Sequence, residues 1–277
     1  MKINNLENEN RRILESKGVF SVMEYLQDIS VSPVDAQKEY FASKMNIRRR
    51  QVVCNMDGET GVTVQSGGMQ WMGGSVQAKT GVKGVGDLVG KMVKGAVTKE
   101  AAIKPEYVGK GILVLEPTYK HLIIENISEW GSGMTVEDGM FLACDSNVQQ
   151  KVAARKSISS VVLGGEGLFN LALTGTGYAV LESNVPRNEL IEIELENEEL
   201  KIDGHMAICW SSTLSFTVER STKTLIGSAV SGEGLVNVFR GTGKVLMTPV
   251  TQSETNPEAG LERLNAEDTG KETKSKK

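Results

Sequence analysis

The chain has 277 residues, a formal net charge of −4, 39% hydrophobic and 24% charged residues, and a pI near 5.5. That length can bury a core without disulfide or metal staples, and the charge balance lacks the basic excess of a dedicated nucleic-acid binder. No apolar run approaches the roughly 20 residues of a spanning helix. Cys54, Cys144 and Cys209 are too far apart to form a disulfide framework or a metal-ligand pattern, so a reduced, cytoplasmic protein is expected.

Residues 1–16 are polar and are expected to form a disordered N-terminus, with no apolar run of the signal-peptide kind. Phe20, Val22, Tyr25, Leu26 and Ile29 mix strand-like and helix-like spacing. From Val34 to Met45, the positions of Ala36, Tyr40, Phe41 and Met45 give a weak helical stripe behind a Ser32-Pro33 start signal. Arg48, Arg49 and Arg50 form the candidate basic patch. They stand before Val52-Val53-Cys54, so a strand with exposed arginines is expected in preference to a phosphate site.

From Gly61, the run GVTVQSGGMQWMGGSVQA alternates apolar with small or polar residues around two glycine pairs, which predicts a hairpin. The pattern then changes. Residues 81–98 place Val85, Leu88, Val89, Met92 and Val93 at near-helical spacing with Lys91 and Lys94 among them. This predicts a short helical insertion and a candidate membrane or partner surface.

A glycine-flanked strand occurs three times: GKGILVLEP from Gly109, GTGYAVLES from Gly175 and GTGKVLMTP from Gly241, at a spacing of 66 residues. DGMFLAC (Asp138–Cys144) matches DGHMAIC (Asp203–Cys209), placing Cys144 and Cys209 at equivalent strand positions, and GEGLFN matches GEGLVN. Short strands between glycine-rich turns predict an all-β fold of three tandem β-sandwich or roll units. Their expected bounds are 17–128, carrying the insertion, then 129–195 and 196–250. Residues 251–277 are nearly devoid of apolar side chains and are expected to be a disordered tail.

The candidate chemistry resolves into structure. GVGDLVGKM around Gly84 lacks both the glycine spacing and the Ser or Thr of a phosphate loop. The pairs Gly109/Gly111, Gly175/Gly177 and Gly241/Gly243 each enter a strand, not a helix, and predict tight turns or bulges. Glu166 and Glu233, with Glu100 in a corresponding place, are expected in equal environments and so have no divided acid–base roles. His121 and His205 join no metal-ligand cluster, and GSAVSG (Gly227–Gly232) puts its serines at the wrong offsets for a nucleophile elbow. Trp71 and Trp210 are expected to be buried. No cofactor, metal or catalytic residue is expected.

GGMQWMGG, IKPEYVGKGILVLEPTYKH, GGEGLFNL, VPRNELIEIEL, LKIDGHMAICWS, STKTLIGSAVSGEGLVN and FRGTGKVLM together resemble the altered-inheritance-of-mitochondria protein 24 family, over about residues 20–250. The resemblance implies β units like those of the tryptophan RNA-binding attenuation protein (TRAP-like units), repeated along one chain. It implies no established activity for bacterial members. In fungi the family is linked to inner mitochondrial membrane organisation, which does not carry over here. RNA binding does not follow from the fold. The expected function is therefore that of a non-enzymatic structural or interaction protein, a homo-oligomer, for which a trimer would protect the strand edges, near a membrane face or a protein partner. The alternatives are an RNA-binding module using the arginines and a small-molecule enzyme with a pocket between repeats.

Overall fold

A computed structural model describes residues 1–79, 104–154, 169–220 and 235–250. The insertion at 81–98, Glu100, Glu166, Glu233 and the 251–277 tail lie outside the described residues. The fold is all-β. In chain order it comprises β1 (Arg11–Lys17), β2 (Phe20–Tyr25), α1 (Ala36–Lys44), β3 (Arg50–Asp57), β4 (Val62–Val64), β5 (Met69–Gly74), β6 (Gln77–Lys79), β7 (Glu106–Val108), β8 (Lys110–Leu115) and β9 (His121–Asn126). There follow β10 (Met134–Val136), β11 (Phe141–Asp145), β12 (Gln149–Ala154), β13 (Phe169–Thr174), β14 (Tyr178–Ser183), β15 (Ile191–Asp203), β16 (Ala207–Ser211), β17 (Ser215–Arg220) and β18 (Leu235–Met247).

Among the described residues the strands form three antiparallel sheets. The first runs β1-β2-β3-β8-β5, the second β6-β7-β4-β11-β14-β9, and the third β12-β13-β10-β16-β18-β15 with β17 also paired to β18. Two cores lie between successive sheets. Phe20, Val52, Leu113 and Leu115 of the first sheet meet Val62, Val64, Ala143 and Val180 of the second. Ile123, Cys144, Ala179 and Leu181 on the opposite face of the second sheet meet Met134, Val136, Leu171 and Leu246 of the third. Neighbouring residues of a strand point to opposite faces, so Val180 enters one core and Ala179 and Leu181 the other. The runs ILVL, LII and AVL are apolar throughout because both faces of β8, β9 and β14 are covered, although β9 ends its sheet.

A third cluster sits on the far face of the third sheet, where Leu195, Ile202, Trp210, Phe239 and Val245 converge. There the rings of Trp210, Phe216 and Phe239 lie 5.0–5.1 Å apart. A small fourth cluster (Met23, Val53, Ile112 and Val114) sits on the outer face of the first sheet, with Leu6 and Ile13 packed on it.

Four expectations are corrected. Residues 1–16 are not frayed: from Arg11 the chain is strand β1, paired with β2. Backbone pairing and the contact of Ile13 hold this edge strand despite its polar side chains. The run from Gly61 is not one hairpin: β4 joins the second sheet through β11, and β5 joins the first through β8. The turn between them, with Gly67 at φ +80°, carries the chain from sheet to sheet. Trp71 is 36% exposed on an edge strand, whereas Trp210 is buried. Cys144 opposes Ala179 while Cys209 opposes Leu246, one ladder position apart counted from Gly175 and Gly241. DGHMAIC carries one more residue than DGMFLAC between its DG turn and its strand, a shift that sequence matching alone hides.

Candidate functional site

The groove beneath α1 is the place where charged and apolar side chains gather. It has a volume of about 680 Å³ and is lined by Tyr25, Leu26, Asp28, Ile29, Tyr40, Ile47, Arg48 and Arg49 among others. α1 spans nine residues and buries none of them. Tyr40, Phe41 and Met45 are 58%, 59% and 75% exposed, and Ile29, Val34 and Ile47 beside them are exposed too. The helical expectation is met in position, but its apolar stripe faces outward. A short helix without a buried face gains little from tertiary packing; this one is tied down at its edge, where Tyr119 donates to Glu39 at 2.7 Å.

The three arginines do not form an open basic patch. Arg50 is the buried first residue of β3, 2% exposed. Its guanidinium donates to Glu24 at 2.8 Å, to the carbonyl and side-chain oxygens of Asn46 at 3.0 Å, and to the Arg48 carbonyl at 3.1 Å. Arg48 reaches the other oxygen of Glu24 at 3.1 Å, and Arg12 approaches it at 3.5 Å. Arg49 pairs with Asp28 at 2.9 Å, donates to the Tyr119 hydroxyl at 3.0 Å and lies over that ring. Each arginine of the triplet therefore has a carboxylate partner, and the expectation of exposed arginines is corrected. Burial of the strand start requires it, because a guanidinium removed from water needs a counter-charge and hydrogen bonds. Glu24, the residue that organises this cluster, stands inside the apolar run FSVMEY, and its spacing from the triplet gave no sign of the pairing.

His121 lies nearby at the start of β9. Burial, then the Arg50 charge, pushes its pKa down to about 4. It is therefore a neutral ring at physiological pH, available to hydrogen-bond but not to hold a proton.

The repeated glycines take up three strained corners. All six have positive φ, from +100° at Gly175 to +156° at Gly243. The first two corners pass the chain from the second sheet to the first (β7 to β8) and from the third to the second (β13 to β14); the last bends β18 in mid-strand. A Cβ on Gly111, Gly177 or Gly243 would meet Gly73 O at 2.1 Å, an Asp145 carboxylate oxygen at 2.8 Å or Ser211 Cβ at 2.7 Å. Asp145 and Ser211 use that proximity, accepting from the backbone N–H of Tyr178 and Lys244 at 2.7 and 3.1 Å. These corners have no room for a nucleotide phosphate. Burial raises the Asp145 carboxyl above its ordinary value.

The three thiols are buried. Burial pushes Cys144 up to about 12 and raises Cys54 and Cys209 as well, the opposite of a reactive cysteine. Among the described residues no helix is long and apolar enough to cross a membrane, and no group of three His, Cys, Asp or Glu side chains is placed to hold a metal ion.

The model of a family described as mitochondrial biogenesis AIM24 matches residues 44–250. An uncharacterized protein of Streptococcus pyogenes serotype M6 is 28% identical over 192 residues, covering 66% of this chain and 75% of that protein. A crystal structure of a Streptococcus pyogenes protein superposes with a TM-score of 0.57 at 24% identity, covering 79% of this chain and 95% of the other. At that identity the likeness carries the fold alone.

Proposed function

The chain belongs to the mitochondrial biogenesis AIM24 family, and from that premise we propose that it is a non-enzymatic interaction protein, a scaffold of three tandem TRAP-like β units that works as a homo-oligomer. The observation that carries the reading is α1: a helix with no buried residue that holds Tyr40, Phe41 and Met45 in solvent beside exposed Ile29, Val34 and Ile47. Contiguous exposed apolar surface on a soluble protein marks a docking face. The three-unit part is supported by the corners at Gly109, Gly175 and Gly241, each with positive φ and each followed by a strand placed between two antiparallel neighbours.

The pairing of every arginine in the triplet with a carboxylate supports a protein or membrane-surface partner over RNA. The test compares wild type with a Tyr40→Ser, Phe41→Ser variant of unchanged circular dichroism. Partners captured from the host, or cosedimentation with anionic liposomes, should be lost in the variant. Capture of the same proteins by both chains, with no liposome binding by either, would remove the reading.

A further inference from the structure

The exit of β18 and the helix α1 lie at the same end of the sheet stack. β18 finishes at Met247, opposite Ile191 at the start of β15. Residues 184–190 join that start to the end of β14, where Ser183 is opposite His121 at the start of β9. Just before His121, Tyr119 donates to Glu39 of α1. Its neighbour Thr118 exchanges both backbone hydrogen bonds with Arg50 at the start of β3, at 2.7 and 2.9 Å. These steps lead from the third sheet to the second and then the first. Stacked sheets are about 10 Å apart, so the crossing spans on the order of 20 Å along the stack. Eleven residues separate Val250 from Leu261, and extended they reach up to roughly 36 Å.

The sequence from 251 to 277 is polar except at one place. Leu261 and Leu264 are its large apolar side chains, and Glu262 and Arg263 stand between them. The groove beneath α1 offers the complement. Leu26, Ile29, Tyr40 and Ile47 form its apolar wall. Most of its charged lining is already engaged: Asp28 pairs with Arg49, Arg48 with Glu24, and Glu39 accepts from Tyr119. Glu9 and Lys44 also line the groove and hold no ionic partner among the described residues; Lys44 lies over the Tyr40 ring at 5.1 Å. One unpaired acid and one unpaired base beside an apolar wall match a Glu-Arg pair set between two leucines. The leucines carry the affinity, and the charges carry the register, because exposed ion pairs contribute little energy.

We propose that residues 261–264 of this chain occupy its own groove beneath α1. Leu261 and Leu264 lie against Ile29, Tyr40 and Ile47, with Glu262 at Lys44 and Arg263 at Glu9. A flexible tether holds such a segment at an effective concentration of about millimolar, so a contact too weak to join separate molecules is made within one. The segment then competes with any outside partner for the α1 face and limits docking there. The regulatory part of the inference rests on the reading of α1 as a docking face.

Hydrogen exchange of the full chain tests this, because a short helix with no buried residue exchanges rapidly unless something covers it. Amides of residues 36–47 should exchange about tenfold more slowly in the wild type than in a Leu261→Asp, Leu264→Asp variant of unchanged circular dichroism, the protection of a groove filled roughly nine-tenths of the time. Lys44→Glu should lose that protection, and Lys44→Glu combined with Glu262→Lys should recover it, which a change in helix stability alone cannot do. Equal exchange in the wild type and the aspartate variant overturns the inference, as does a charge swap that recovers nothing. Protection that falls on dilution would place a second copy's segment in the groove and overturn the same-chain assignment. Capture of partners should rise in the aspartate variant. Capture that ignores Tyr40 and Phe41, with the exchange difference and the charge swap intact, would remove the partner reading and leave the segment in its groove.

Discussion

Glu24 and Arg50 are register partners across β2 and β3 and also ion partners, 2.8 Å apart, with side chains 3% and 2% exposed. Breaking such a pair strands a charge, whereas replacing both members with apolar groups of similar volume is often neutral. Glu24→Ala should therefore destabilise by about 3–5 kcal/mol, since it leaves Arg50 buried and also removes the partner of Arg48. The double substitution Glu24→Leu, Arg50→Met should recover much of that loss. Urea unfolding of the set decides, and equal midpoints for wild type and Glu24→Ala would show that the pair contributes nothing.

Acid should weaken the fold in a window that His121 sets. Its folded pKa is about 4 against an ordinary 6.5, so below about pH 6.5 the unfolded chain binds the extra proton and the folded chain does not. By linkage, stability is fully present above the unfolded value and is lost as the pH falls towards the folded one. Glu24 and Arg50 are the charged groups acting on the ring, the arginine opposing its protonation and the glutamate favouring it. Asp145, raised by burial, has the opposite sign and gains stability as it protonates. His121→Gln should flatten the stability slope between pH 6.5 and 4; an unchanged slope would contradict the assignment.

Glycine substitutions should divide by what a Cβ would meet. Gly139 has φ +76° and open space around the added atom, whereas Gly109 has φ +108° and would place a Cβ 2.2 Å from the Ser75 carbonyl oxygen. Gly139→Ala should cost roughly 1–2 kcal/mol, the left-handed penalty alone. Gly109→Ala adds a backbone clash and should reach roughly 3 kcal/mol or more, among the larger single-residue effects. Thermal unfolding compares them, and equal losses would mean that the corner relaxes freely.

Thiol chemistry should report global unfolding. Cys54, Cys144 and Cys209 are fully buried, and burial holds their protons on. The native chain should therefore release no colour with an aromatic disulfide reagent, and the denatured chain should release three equivalents of thiol. Rapid labelling of the native state at one site would point to local opening there.

By itself the sequence determined what is periodic or local. The spacing of Gly109, Gly175 and Gly241 announced corners, because a glycine pair entering an apolar run serves a turn and not a phosphate. The apolar Val52-Val53-Cys54 and the repeated glycine-flanked run GKGILVLEP announced strands. α1 was found within two residues, because its start and its spacing are local signals. What the tertiary structure alone decided depends on which surfaces meet. β4 and β5 are adjacent in sequence but lie in different sheets, since each strand finds its hydrogen-bond partners at a distance. The arginine triplet looked like a surface patch until β2 placed Glu24 opposite Arg50, 26 residues away along the chain. The cysteine register slipped by one because a single added residue before β16 leaves the motif legible while shifting its ladder. Trp71, expected to be buried from its place in the repeat, lies exposed because its strand ends a sheet. Composition records a preference for burial, but only the arrangement of sheets decides whether a neighbour is there to provide it.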